Sequence, residues 1–152
     1  MIQLHRTDSN HKDFIALVKQ LDADLAKRDG EDHAFYAQFN KIDMIKYVVI
    51  AYENEKAVSC GAIKEYEAAT VEVKRMYTLP ANRGMGIAGR VLKELENWAA
   101  ELNYSRCILE TGIRQPEAIA LYHKSGYCSI PNYGQYAEVT DSRCFEKMLD
   151  PS

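Results

Sequence analysis

The sequence predicts an α/β fold with a mixed sheet flanked by helices. Three observations carry this. Segments rich in β-branched and aromatic residues alternate with segments whose apolar residues recur at helical spacing. The strand-like segments between Lys46 and Leu79 follow one another through short polar turns, as an antiparallel meander requires. After Leu79 the order becomes helix, strand, helix, which adds further strands beside the meander.

Ile2 to Arg6 reads as a short first strand. Thr7, Asp8, Ser9 and Asn10 offer helix N-caps, because their side-chain oxygens can accept from the exposed first-turn N–H groups. Phe14, Leu17, Val18, Leu21 and Leu25 then mark one face of a helix that Asp29-Gly30 ends. Ala34 to Phe39 is apolar-rich and reads as a second, shorter helix. Lys46 to Tyr52 is a strand, Glu53 to Lys56 a polar turn, and Ala57 to Tyr66 a returning strand with Gly61 as a bulge candidate. Thr70 to Leu79 completes the meander. A long amphipathic helix follows a glycine-rich turn, with Ala88, Val91, Leu92, Leu95, Trp98, Ala99 and Leu102 on one face and Asn103 at its end. Arg106 to Glu110 is a compact strand that Thr111-Gly112 leaves. Pro116 suits the first turn of a helix reaching Ser125, and Gly126 suits its C-cap. Tyr127 to Leu149 holds two strands around the loop Pro131 to Tyr136.

At 152 residues the chain suits one domain spanning residues 1–152. Its 47% apolar and 27% charged residues exclude an intrinsically disordered chain. Nineteen basic against 22 acidic residues give a net charge of −3, which argues against a broad nucleic-acid footprint. The longest apolar run, Tyr47 to Tyr52, is too short to span a membrane. The first residues carry no apolar signal-peptide core, so a cytoplasmic protein is expected. Cys60, Cys107, Cys128 and Cys144 show no zinc spacing and read as buried reduced thiols. His5, His11, His33 and His123 form no metal pattern either, so no metal site is expected.

The strongest chemical signal is Arg83-Gly84-Met85-Gly86-Ile87-Ala88-Gly89, between a strand and a long helix. Successive glycines let backbone N–H groups converge without Cβ obstruction, and a helix N-terminus adds partial positive charge. Together they suit a phosphate or pyrophosphate. Gly84 to Gly89 matches the dinucleotide pattern G-x-G-x-x-G, and Glu110 ends the next strand where a ribose-binding acid would sit. Against that reading, Pro80 to Arg83 separates strand from glycines, a meander precedes the motif, and too little chain follows Gly89. No Gly-Lys-Ser/Thr is present, so a P-loop is excluded.

Leu79-Pro80-x-x-Arg83-Gly84-x-Gly86-Ile87-Ala88 resembles the pyrophosphate-binding motif R/Q-x-x-G-x-G/A of the GNAT superfamily of acyl-CoA-dependent N-acyltransferases. Ala118 to Tyr127 resembles that family's second signature, A-x-x-L-Y-x-x-x-G-F/Y. One long helix and one strand separate the two motifs, as in the family. The resemblance implies a mixed, mostly antiparallel sheet with a V-shaped splay between two central strands, here Val73 to Thr78 and Arg106 to Glu110. It further implies acetyl-CoA as acyl donor. Met76, Tyr77 and Thr78 would bind its pantetheine arm, and Arg83, Gly84, Met85, Gly86, Ile87, Ala88 and Gly89 its pyrophosphate. Gln115 stands where the family commonly has a cofactor-contacting Asn.

Acyl transfer from a thioester to an amine needs a deprotonated amine, donors for an oxyanion, and a proton for the departing thiolate. Backbone N–H groups of Met76 or Tyr77 can serve the oxyanion. Tyr122, in the second signature, is the candidate acid. Glu72 is the candidate base, directly or through water, with Glu110 its rival. Strict alternation puts Glu72, Lys74, Met76 and Thr78 on one face of their strand, and Val73, Arg75, Tyr77 and Leu79 on the other. Tyr133 and Tyr136 can line an acceptor pocket, and the acidic run Asp22, Asp24, Asp29, Glu31 and Asp32 can attract a cationic amine. The leading expectation is an N-acetyltransferase acting on a primary amine of a small molecule or amino acid. A non-catalytic acyl-CoA-binding module and a dinucleotide-binding protein are the alternatives. The acceptor's identity stays open, as does oligomeric state; C-terminal strands pairing between subunits would give a homodimer.

Overall fold

The computed structural model describes residues 1–29 and 45–150. The second helix expected over Ala34 to Phe39, together with Glu31, Asp32 and His33, lies outside the described residues. The described elements run β1 (Ile2–Thr7), α1 (Lys12–Asp29), β2 (Tyr47–Glu53), β3 (Lys56–Glu67), β4 (Thr70–Thr78), α2 (Ile87–Glu101), β5 (Arg106–Gly112), α3 (Pro116–Lys124), β6 (Cys128–Ile130) and β7 (Ser142–Met148). Short 3-10 turns occupy Pro80–Asn82 and Gly134–Tyr136. The strands form one seven-stranded sheet ordered β1-β2-β3-β4-β5-β7-β6, antiparallel throughout except for the β4–β5 pair. The expected fold class is therefore what the chain adopts. Among the described residues no helix is long and apolar enough to cross a membrane.

Side-chain alternation gives the sheet two apolar faces, and each face is covered by different helices. Val48, Ile50, Cys60 and Ala62 meet Phe14, Leu17, Val18 and Leu21 of α1. Val49, Ala51, Ile63, Val73, Leu109 and Phe145 meet α2 and α3 on the opposite side. Of the residues the helical periodicity of α1 and α2 picks out, Phe14, Leu17, Val18, Leu21, Val91, Leu92, Leu95 and Ala99 are buried, Leu25, Ala88 and Trp98 are half-buried, and it omits the buried Ile87 and Glu96. The N-cap of α1 is a correction. His11, and none of Thr7 to Asn10, caps it: its Nδ1 accepts from Asp13 N–H at 3.1 Å. Asp8 and Ser9 are used by the loop, accepting from the N–H groups of Asn10 and Ile45.

Two features of β4 position everything that follows. First, β4 pairs with β5 only at Thr70–Arg106, Val71–Cys107 and Glu72–Ile108, and beyond Glu72 the parallel strands part. This is the expected splay, although β5 runs on to Gly112, past the expected end at Glu110. Second, Cys60 pairs with Tyr77 while Ala62 pairs with Lys74, so Gly61 alone faces both Arg75 and Met76. The extra residue belongs to β4, with Arg75 at φ +59°, and not to Gly61 as its glycine suggests. Gly61 keeps regular register with Val49 on its other side. Its missing side chain is explained by packing: a Cβ there would collide with Met76 Sδ and lie 2.9 Å from Leu95 Cδ1.

The bulge overturns the expected alternation along β4. Partners across an antiparallel ladder share a face, so Lys74 (opposite Ala62) and Tyr77 (opposite Cys60) both face α1. Met76 packs with Val73 against the α2 side. The skipped residue reverses the phase after Lys74, which puts Tyr77, expected with Val73, beside Glu72 and Lys74.

Candidate active site

The splay opens a cavity of about 490 Å³ between β4 and β5, reaching from α1 to the N-termini of α2 and α3. Its floor at one end is the glycine turn. Gly84 and Gly86 have φ of +79° and +81°, the left-handed region that glycine enters without strain. Nothing lies within 4 Å of the position a Cβ would take at either, so the backbone faces open space. Gly86 is also the N-cap of α2, and first-turn N–H groups of that helix have no intrahelical acceptor. The arrangement can serve as an anion cradle, and its residues fit a pyrophosphate. Arg83 lines the cavity and ties the cradle to the end of β4. Its Nε donates to the Thr78 carbonyl at 2.9 Å, its guanidinium lies 5.5 Å from the Tyr77 ring centroid, and Asp24 of α1 is 4.0 Å away. Of the remaining turn residues, Met85 is exposed, Ile87 is buried, and Ala88 and Gly89 line the cavity beside Gln115.

The cavity walls next to the cradle are Met76, Tyr77 and Thr78. Ser59 Oγ donates to the Tyr77 carbonyl at 2.9 Å and lies 2.8 Å from Thr78 Oγ1, which fixes the end of the strand. At the other end the splay brings three expected site residues to one opening. Glu72 and Glu110 sit on β4 and β5, on the face covered by α1. Tyr122 sits on α3, on the opposite face, in contact with Tyr127 and Phe145. All three line the cavity. The gap between the strands is thus a window, with carboxylates on one side and a phenol on the other.

Each group has a defined setting. Glu72 is buried, accepts from Tyr133 Oη at 2.5 Å, and has Lys74 Nζ at 3.7 Å. Glu110 accepts from Ser142 Oγ at 2.7 Å. Burial, and then the negative charge of Glu110, pushes the Tyr122 phenol above its ordinary value. Burial likewise raises Tyr133, next to Glu72, and Tyr136, next to Glu110. Tyr133 and Tyr136 therefore enter the site from the 3-10 turn before β7, with Tyr136 lining the cavity and Tyr133 acting through its bond to Glu72. That turn presses on Tyr66, whose hydroxyl would be 2.8 Å from a Cβ at Gly134.

Sequence reading missed Arg75 and Lys74 as site residues, and Asp22, expected to attract a cationic amine, instead pairs with Arg75. Strict alternation sends Arg75 to the α2 face, but its Nη1 donates to Asp22 of α1 at 3.0 Å. The bulge that turns it has no mark of its own in the sequence. Three of the four cysteines are buried as expected, but Cys128 is exposed.

A sequence model of the acetyltransferase (GNAT) family matches residues 15–127, which include both signatures and the whole splay. The chain belongs to this family. A relative named "IAA acetyltransferase", from Azospirillum brasilense, is 37% identical over 102 residues, 66% of this chain and 67% of that protein. An uncharacterised N-acetyltransferase of Escherichia coli is 39% identical over 84 residues, half of its own length. Among solved structures, a chain from Klebsiella pneumoniae assigned to the acyl-CoA N-acyltransferases superposes with a TM-score of 0.83 at 28% identity, covering 99% of both chains. A family member from Elizabethkingia anophelis, solved with acetyl-CoA bound, has the same fold at a TM-score of 0.69, with 19% identity, 97% of this chain and 98% of that one covered.

Proposed function

We propose that this chain transfers an acetyl group from acetyl-CoA to the primary amine of a small molecule, by direct attack of the amine on the thioester. The observation that carries the proposal is the window between β4 and β5, with an anion cradle at its end and acid–base groups on its two sides. Bound acetyl-CoA in family members supports the donor, and so does the fit of the cradle to a pyrophosphate. Met76 to Thr78 would hold the donor's pantetheine arm and Gly84 and Gly86 its phosphates, and Gln115 lines the same end.

The amine approaches from the α1 side, where Glu72 takes its proton directly or through a water. Tyr133 holds one carboxylate oxygen of Glu72, and Lys74 Nζ lies 3.7 Å from the other. Backbone N–H groups of Met76 or Tyr77, on the part of β4 that β5 leaves unpaired, are the donors for the developing oxyanion. Tyr122, kept protonated by burial and by Glu110, gives a proton to the departing sulfur on the α3 side. Proton acceptor and proton donor stand on opposite faces of the sheet, so the two transfers do not compete for one group.

An amine panel with acetyl-CoA, followed by release of free CoA thiol, tests this. Glu72→Gln is expected to lose about 10²- to 10⁴-fold in kcat near neutral pH and to recover relative to wild type as the amine deprotonates itself. A constant ratio across pH removes Glu72 from the base role. Tight CoA binding with no turnover of any amine would instead make the chain an acyl-CoA-binding module.

A further inference from the structure

Arg75 lines the cavity, and the transfer reaction leaves its chemistry unused. Its side chain is 2% exposed, on a residue 6% exposed overall. One nitrogen, Nη1, bonds Asp22. The other two, Nε and Nη2, are buried and have no hydrogen-bond partner among the described residues. A guanidinium cannot shed its charge to relieve this, because it stays protonated at any ordinary pH. Buried donors left unpaired are rare in folded proteins, and charged ones are the most costly. The tie to Asp22 explains how α1 is held to β4, but it uses only one edge of the fork.

The position of that fork narrows what completes it. Arg75 lines the cavity on the α1 side, the side from which the acceptor enters, and follows Lys74 and Glu72 along one face of β4. Paired N–H groups on one edge of a guanidinium match the two oxygens of a carboxylate. A site offering a carboxylate (Glu72) to an amine and a guanidinium edge to an anion is complementary to a zwitterion.

We propose that Arg75 binds the carboxylate of the acceptor, so that the preferred acceptors are amino acids or other amino-carboxylates. This rests on the acetyltransferase reading. Arg75 is a specificity-determining residue in it, held ready by the β4 bulge and by Asp22.

The test compares the common L-amino acids with their carboxamides as acceptors, at fixed acetyl-CoA. Wild type is expected to favour the acid over its amide by about 10- to 100-fold in kcat/KM, the range for a hydrogen bond to a charged group. In Arg75→Gln that ratio is expected to collapse toward one, and in Arg75→Lys to fall part of the way, because a lysine supplies charge without the fork. The wild-type comparison does not depend on any variant folding. Amide turnover as fast as acid turnover in wild type overturns the proposal while leaving the acetyltransferase reading in place. A ratio unchanged in Arg75→Gln overturns it too, as does a loss confined to CoA affinity, which would assign the fork to the donor. No turnover of any amine defeats the underlying reading instead.

Discussion

Gly61→Val probes the device that shapes the site. Gly61 sits in ordinary strand geometry, outside the positive-φ residues, so valine meets no backbone strain and suits a strand. The whole cost is then packing. A Cβ at this position overlaps Met76 Sδ and comes within 2.9 Å of Leu95 Cδ1 and 3.2 Å of Val91 Cγ1, and valine adds two methyls beyond it. Overpacking of this kind costs about 1–3 kcal/mol. At roughly 2–4 °C per kcal/mol for a chain of this size, Tm should fall by about 2–12 °C. Because the displaced residue is Met76, on the bulge itself, acetyl transfer should fall as well. Adding Met76→Ala makes room, so the double variant should be more stable than the two single changes predict by about 0.5 kcal/mol or more. Thermal unfolding of the four proteins in one buffer checks this. A Gly61→Val protein as stable as wild type, or strict additivity in the cycle, would refute the packing account of the bulge.

Three further outcomes follow from the site. Tyr122→Phe should lower kcat by about 10²-fold or more while CoA affinity holds, read by turnover and by a CoA titration; equal kcat removes Tyr122 from the acid role. Gly86→Ala puts an L-residue at φ +81°, costing about 1–2 kcal/mol, and places a methyl in the cradle, so affinity for CoA should drop more than Tm does; unchanged affinity moves the phosphate elsewhere. Burial holds Tyr122, Tyr127, Tyr133 and Tyr136 above the ordinary phenol value. Below about pH 10 folded and unfolded phenols are both protonated, and above it the unfolded chain ionises first, so stability should fall by up to about 1.4 kcal/mol per pH unit for each phenol. A Tm that stays level from pH 9 to 11 contradicts that burial.

Much of the site is legible in the sequence because it is local. Gly84 and Gly86 announce a left-handed turn before a helix, and the structure has one. Tyr122 lies on the expected helix and Glu110 on the expected strand, and both line the cavity. The splay is legible only through family resemblance, since nothing in either strand says where two parallel strands part. The bulge is less accessible still. Its extra residue, Arg75, is an ordinary strand residue by composition, and what forces it is a non-local fit between Met76, Gly61 and α2. The glycine that marks the place stands on the neighbouring strand, so reading it in isolation assigns the bulge to β3. Arg75 is lost from the sequence-level site for the same reason, because one skipped residue changes which side chains share a face. His11 as N-cap is a similar case: Asp8 and Ser9 are better caps by type, but the loop to Ile45 engages Ser9 first.

The central claim is that the open backbone of Gly84 and Gly86 receives the phosphates of acetyl-CoA, and a thermal-shift titration with acetyl-CoA, CoA and NADH tests it most directly. A ligand at 100 times its Kd adds about 2.7 kcal/mol, a shift of roughly 5–11 °C for this chain. The account predicts that shift with both CoA species and none with NADH. A shift with NADH and none with either CoA species would contradict it.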